Sequence, residues 1–280
     1  MFTVSELYIY PVKSLGGIAV NSARLTDRGF EHDRRWMVVD KGNRFITQRE
    51  LPAMALLQVQ VTDTGLRIQL KTKRTESIDV PFQPPLPNTV PVVVWDDTCE
   101  AQYAGSRVDE WLSDMLSFDC RLVYMPDHSL RKVDTRYAAN NEVTSLSDGY
   151  PVLMIGQASL EDVNRRMAIP LPMNRFRPNI VFTGGSAFEE DTMAHFRIQG
   201  MDFYAVKPCA RCAITTINQD NAVAAKEPLK TLAGYRNREN KVYFGQNILY
   251  RGSGVVQVGD GIAVVERKPA IDFSSNFTPQ

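Results

Sequence analysis

Hydrophobic positions along the chain mostly alternate with polar ones in short runs, the spacing of half-buried strands rather than helices. Phe2–Tyr10, Arg35–Asp40, Leu56–Val61, Leu66–Lys71, Val90–Val94 and Cys99–Tyr103 read as strands in the first half. The second half adds Phe196–Ile198, Phe203–Val206, Ala213–Ile217, Gln246–Tyr250, Val255–Val258 and Ile262–Val265. Between Val80 and Val90, prolines at 81, 84, 85 and 87 exclude helix and central strand and predict an extended connector.

Three stretches carry helical spacing. Ser106 reads as an N-cap with Asp109 behind it, and Val108, Trp111, Leu112 and Met115 share one face. The same logic applies to Ser159–Asp162, with Leu160, Val163 and Met167 as the stripe. Glu227-Pro228 followed by Leu229, Leu232 and Tyr235 gives the third, with proline in the first turn. Strands dominate without βαβ alternation, so the expected fold is mainly β (α+β) and barrel-like, with a few helices. Pro126–Gly149 has little periodicity and is long for a plain connection, which predicts a functional loop or lid. Lys268–Gln280 reads as a tail.

Composition narrows the function. The 280 residues are 44% hydrophobic and 23% charged, the balance of a globular chain with a sizeable core. Lysine plus arginine equals aspartate plus glutamate at 32 each, so no global field attracts nucleic acid or an anionic membrane. Any anionic ligand needs a local cluster of cations. Apolar runs such as Pro151–Ile155 are far too short to cross a bilayer, and Met1–Glu6 has neither basic flank nor apolar signal core. Four cysteines make no disulfide scaffold, so thiols in a reducing cytoplasm are expected.

The densest chemistry lies in Lys207-Pro-Cys-Ala-Arg-Cys-Ala-Ile-Thr-Thr-Ile217. A dithiol site needs the first cysteine to open a helix, yet β-branched residues follow Cys212 and favour a strand. A structural zinc needs four ligands, and His32, His128 and His195 are scattered. A single metal thiolate is the third reading: Arg211 and Lys207 near Cys212 favour its ionised form. Two buried structural cysteines are the bland alternative. Tyr10–Gly17 ends a strand with a cation, a hydroxyl and a turn that suit a phosphate. His32–Trp36 places two arginines at a strand start. In Asn174–Ile180, Arg175 and Arg177 alternate with apolar residues, so strand geometry sends them to opposite faces, one to solvent and one to a site.

Seven segments in register resemble the MOSC superfamily, in the group that joins an N-terminal MOSC-associated β-barrel region to a MOSC domain and includes amidoxime-reducing components. They are Tyr10–Ser14, Asp33–Trp36, Ser147–Pro151, Ala158–Asp162, Arg175–Ile180, Cys209–Cys212 with Thr215-Thr216, and Phe244–Gln246. The resemblance implies an N-terminal region over 1–120, a MOSC β-barrel domain over 121–267 and a tail over 268–280. It also implies a molybdenum cofactor, the metal held by a molybdopterin dithiolene. Cys212 would bind the metal, as both anchor and catalytic residue. Lys13, Ser14, Arg34, Asp148, Arg177, Asn179 and Arg211 would line or hold the cofactor, though an aspartate before glycine such as Asp148 also suits a turn.

The implied activity is reduction of N-hydroxylated compounds (hydroxylamines, amidoximes, N-hydroxylated bases) to the amine or amidine. The implied partners are that small-molecule substrate and a separate electron donor of ferredoxin-like, flavoprotein or cytochrome type, with no nucleic acid and no membrane. Only Cys209 and Cys212 lie beyond residue 120, so no iron–sulfur cluster is expected in the chain itself. There is likewise no room for the pyridoxal-phosphate domain of sulfurase-type members. The alternatives are a molybdenum-cofactor carrier or sulfur-transfer module without turnover, and a thiol oxidoreductase using Cys209 and Cys212.

Overall fold

The computed structural model describes residues 1–85 and 87–273. Seven strands close into a barrel in the order Val152–Gly156, Ile180–Thr183, Phe2–Ile9, Gly261–Arg267, Met193–Ile198, Met201–Ala210 and Lys241–Arg251, the last pairing back onto the first. Val152–Gly156 and Ile180–Thr183 run parallel, and the other barrel pairs are antiparallel. Closure removes the unpaired edges an open sheet would expose. Val4, Met154, Phe182, Phe196, Phe203 and Ile248 belong to one fully buried cluster of the barrel.

The first strand of the chain is thus a barrel strand, seated between neighbours almost 180 and 260 residues away. From it the chain leaves to build two further sheets. One holds Trp36–Val39, Arg121–Tyr124, Asp97–Tyr103 and Thr89–Val94 in that order, and the other Leu57–Val61, Gly65–Leu70 and Lys73–Pro81. Alternation places Leu57, Val59, Leu66 and Ile68 in a common core, where α1 (Ser106–Leu116) adds Val108, Leu112 and Leu116.

The helices differ from the sequence expectation at their starts. Gly105 is the cap of α1, and Asp109 accepts from the Leu122 N–H at 2.8 Å, so it ties the following strand instead of completing a capping box. Likewise α2 (Gln157–Arg165) begins before Ser159. Buried Ser159 donates to Glu190 Oε2 at 2.8 Å and accepts from the Phe188 N–H at 2.7 Å. In α3 (Leu229–Ala233), Pro228 precedes the first helical residue and Leu232 is buried. Pro126–Gly149 is pinned by a two-stranded ribbon, Arg131–Lys132 with Val143–Thr144, and by the buried Arg131 donating to the Ser145 and Ser147 carbonyls. Of the expected tail, 268–273 follow the last barrel strand and 274–280 lie outside the described residues.

Two strand readings fail at the points that matter most. Ala213–Thr216 forms a 3-10 turn, not a strand. Thr215 and Thr216 turn their hydroxyls back onto the Cys212 and Ala213 carbonyls at 3.0 and 2.7 Å. This local bonding satisfies backbone acceptors and overrides the β-preference of branched side chains. Met173–Arg175 is also a 3-10 turn, so strand alternation does not apply to Arg175 and Arg177. Arg175 is buried, not exposed.

Candidate functional site

Where the barrel rim meets the sheet of Trp36–Val39, six separate stretches of chain meet in a cleft of about 250 Å³. All eight residues singled out from the sequence line it: Lys13, Ser14, Arg34, Asp148, Arg177, Asn179, Arg211 and Cys212.

The first wall is built on Tyr10, just beyond the first barrel strand. Its N–H donates to the buried Asp33 carboxylate at 2.8 Å, and its carbonyl accepts from the Arg34 N–H at 2.8 Å. The Arg34 and Arg177 guanidinium groups pack over its ring at 4.3 and 4.2 Å. Burial pushes the Tyr10 phenol up to about 12, so it stays neutral and its hydroxyl donates to the Pro178 carbonyl at 3.1 Å. Arg34 also donates to Asp33 at 2.6 Å, to Asn179 Oδ1 at 3.0 Å and to the Arg177 carbonyl at 3.2 Å.

Ser14, Arg34 and Arg177 all hold positive φ, at 67°, 49° and 54°. A left-handed backbone costs a non-glycine residue about 1–2 kcal/mol, so three in one cleft wall are held there by their surroundings. Arg177 is buried, and among the described residues no acceptor lies within hydrogen-bond distance of its guanidinium. Desolvation, reinforced by Arg34, lowers its pKa to about 10, which leaves it charged at neutral pH.

Lys13 is buried beneath the exposed Asp148 and donates to it at 2.5 Å. Burial pulls the Lys13 ammonium down. Desolvation also disfavours the Asp148 carboxylate, but the Lys13 charge and hydrogen bonds from Lys13 and Trp95 outweigh it and hold that carboxyl well below the usual range. Asn179 lines the cleft yet spends its amide inside the protein. Its oxygen accepts from Arg34 and from the Leu153 N–H, and its nitrogen donates to the Tyr8 carbonyl at 3.2 Å. It fixes Arg34 in place.

The opposite wall is the end of Met201–Ala210 and the turn after it. Arg211 donates to the Phe176 carbonyl at 2.5 Å and to the Cys209 sulfur at 3.0 Å. The sequence reading placed Arg211 and Lys207 as activators of Cys212. The structure directs Arg211 to Cys209, and Lys207 to the rings of Tyr137 and Tyr150. Burial raises the Cys209 thiol, against the opposing pull of Arg211. All four cysteines are free thiols. Among the described residues no three His, Cys, Asp or Glu side chains gather as a metal site; of the two thiols lining the cleft, Cys209 is held by Arg211 and Cys212 is not.

Sequence reasoning missed Tyr10 as the support of two arginines, and Asn247, which lines the cleft from the strand Lys241–Arg251. Their partners are distant in sequence, so no local spacing signals them. The Phe244-Gly-Gln246 match has a structural basis. Gly245 has φ 80°, a Cβ there would lie 2.7 Å from Ile155, and Gln246 is buried donating to Asp191 at 2.7 Å.

Comparison with known proteins matches residues 1–119 to the MOSC N-terminal beta barrel domain and 141–263 to the MOSC domain. Mitochondrial amidoxime-reducing component 1 of Mus musculus is 31% identical over 93% of this chain and 81% of that protein. This chain belongs to the MOSC family. Mitochondrial amidoxime reducing component 2 of Bos taurus is 32% identical over 93% of this MOSC chain and 82% of its own length. Molybdenum cofactor sulfurase of Oryza sativa subsp. japonica is 29% identical over 86% of this chain and 32% of that much longer protein. Among the described residues no helix is long and apolar enough to cross a membrane.

The donor set fits a molybdenum cofactor. Among the described residues the Arg177 guanidinium has no acceptor, and Arg211 Nε is buried without a partner. Such groups suit an anionic phosphate and polar pterin edges, and a thiol suits a sulfur-ligated metal.

Proposed function

We propose that this MOSC protein is a molybdenum-cofactor-dependent reductase of N-hydroxylated compounds. The observation that carries the reading is the convergence, in one cleft, of the Cys212 thiol with Arg177 and Arg211, neither of which forms an ion pair with a described carboxylate. When bound, the cofactor supplies a two-electron metal centre, and the overall change is R–NHOH plus two electrons and two protons to R–NH2 plus water. Cys212 anchors the metal. Arg177, Lys13, Ser14 and Arg211 bind the anionic and polar parts, while Arg34 and Asn179 hold Arg177 and the Tyr10 wall in register.

Electrons come from a separate redox protein, of ferredoxin-like, flavoprotein or cytochrome type. The compartment is a reducing one, the cytoplasm being our reading, in keeping with the four free thiols. A second reading, a cofactor carrier or sulfur-transfer module, draws support from the likeness to the rice sulfurase. Turnover separates the two. Protein from a host that makes the cofactor should reduce an N-hydroxy substrate with reduced methyl viologen. Molybdenum-loaded protein that fails to turn over any such substrate contradicts the reductase reading.

A further inference from the structure

Most cations of the cleft are committed to the protein. Lys13 pairs with Asp148, Arg34 with Asp33 and two further acceptors, and Arg211 with the Phe176 carbonyl and Cys209. Arg177 lies against Tyr10 on the buried wall. Lys207 is different. It lines the cleft, is half-buried, and among the described residues has no acceptor within hydrogen-bond distance.

Its ammonium is nonetheless fixed, 4.9 Å from the Tyr137 ring and 5.8 Å from the Tyr150 ring. Two aromatic faces orient a cation without neutralising it. Asp134, the carboxylate that feels the Lys207 charge, is itself paired with Arg136 at 2.6 Å, so the ammonium stays available to a ligand. Its place in the fold gives the ligand's identity. Lys207 stands near the end of the strand Met201–Ala210, which itself carries Cys209 and runs into the turn opened by Cys212, and it lines the same cleft as Lys13 and Ser14. Tyr137 flanks it from the pinned 126–149 segment and Tyr150 from the residue just after it, so the lysine sits where that segment meets the thiol wall.

We propose that Lys207, held between Tyr137 and Tyr150, is a substrate subsite that takes an anionic group, and that the preferred substrates are N-hydroxylated compounds bearing a carboxylate or phosphate. This rests on the reductase reading and names the substrate class within it. The aromatic rings give the organic body of such a substrate an apolar surface, and the ammonium fixes its charged end. The anion then sets which end of the molecule faces the thiol wall.

The test compares benzamidoxime with 4-carboxybenzamidoxime on the purified full-length chain from a cofactor-competent host. Dissociation constants are measured by calorimetry at fixed low ionic strength, in parallel with viologen-driven turnover and molybdenum content. A charge-assisted contact is expected to favour the carboxylate about tenfold in binding. Lys207→Met should bring the ratio of the two constants close to one, and Lys207→Arg should keep the preference. Equal binding of both compounds to the native chain overturns the proposal, as does a Lys207→Met variant that weakens both alike. Loss of molybdenum in Lys207→Met assigns the lysine to the cofactor and also overturns it. Absence of turnover with the binding preference intact counts against the reductase reading and leaves the subsite standing.

Discussion

Arg211 points its guanidinium at Cys209, 3.0 Å from the sulfur, and not at the cysteine beside it in sequence. The two thiols of the pair are therefore in unequal settings. Cys209 is tied to an arginine and to the Phe176 wall through it, and burial keeps its thiol protonated. Cys212 opens the 3-10 turn and uses only its carbonyl in holding that turn together.

This asymmetry predicts unequal variants. Cys212→Ser should lose most of its molybdenum and its activity, whereas Cys209→Ser should keep most of both. Elemental analysis per folded chain measures it directly. Equal losses would instead fit a dithiol mechanism.

Arg175 and Arg177 should separate stability from cofactor binding. Buried Arg175 donates to the Thr215 carbonyl at 2.9 Å, holding the turn that carries Cys212. Arg175→Ala is expected to cost about 1.5–3 kcal/mol of stability, read by denaturant titration. Arg177→Ala loses no side-chain hydrogen bond to a described residue and should fold normally, but hold the cofactor roughly ten- to hundredfold more weakly. Lysine at 177 should restore only part of this, lacking the planar stack on Tyr10. A stable Arg175→Ala beside an unstable Arg177→Ala would reverse the assignment.

Glu190 gives a pH signature. Fully buried, it is raised to about 7, by desolvation first and by neighbouring Asp191 second. A carboxyl raised in the fold stays protonated where the unfolded chain is ionised. Its contribution is thus complete below the unfolded value of 4.5 and is lost as pH rises through about 7. Glu190→Gln should flatten the stability profile over that window, with the native chain losing stability relative to it between about pH 4.5 and 7 and no further above. Melting curves at several pH values test this, and unchanged slopes would refute it.

Electron supply should be external. The described residues gather no cysteine cluster, so a nicotinamide alone should give no turnover while a viologen donor does. Unassisted turnover with the nicotinamide would reveal a missed internal relay.

Much of the fold was legible because it rests on local pattern. Alternation in Leu57–Val61 and Gly65–Leu70 matches a buried face, and of the stripe Val108, Trp111, Leu112 and Met115 the first and third are buried and the other two pack partly buried against the same core. The site was legible as a set of residue types in order, but not as geometry. Strand reasoning sent Arg175 to solvent because nothing in Asn174–Ile180 announces a 3-10 turn followed by a left-handed arginine. The β-branched run after Cys212 misled in the same way, since the threonine hydroxyls bond back onto their own turn. Tyr10 was opaque for a different reason: its role depends on partners at 33, 34, 177 and 178, which only the closed barrel brings together.

The most direct measurement is molybdenum content per folded chain, after purification from a host that makes the cofactor. The Cys212 thiol in one cleft with Arg177 and Arg211 predicts near-stoichiometric metal with an extractable pterin, both reduced in Arg177→Ala and Cys212→Ser. Folded native protein that carries neither metal nor pterin from such a host would contradict the account.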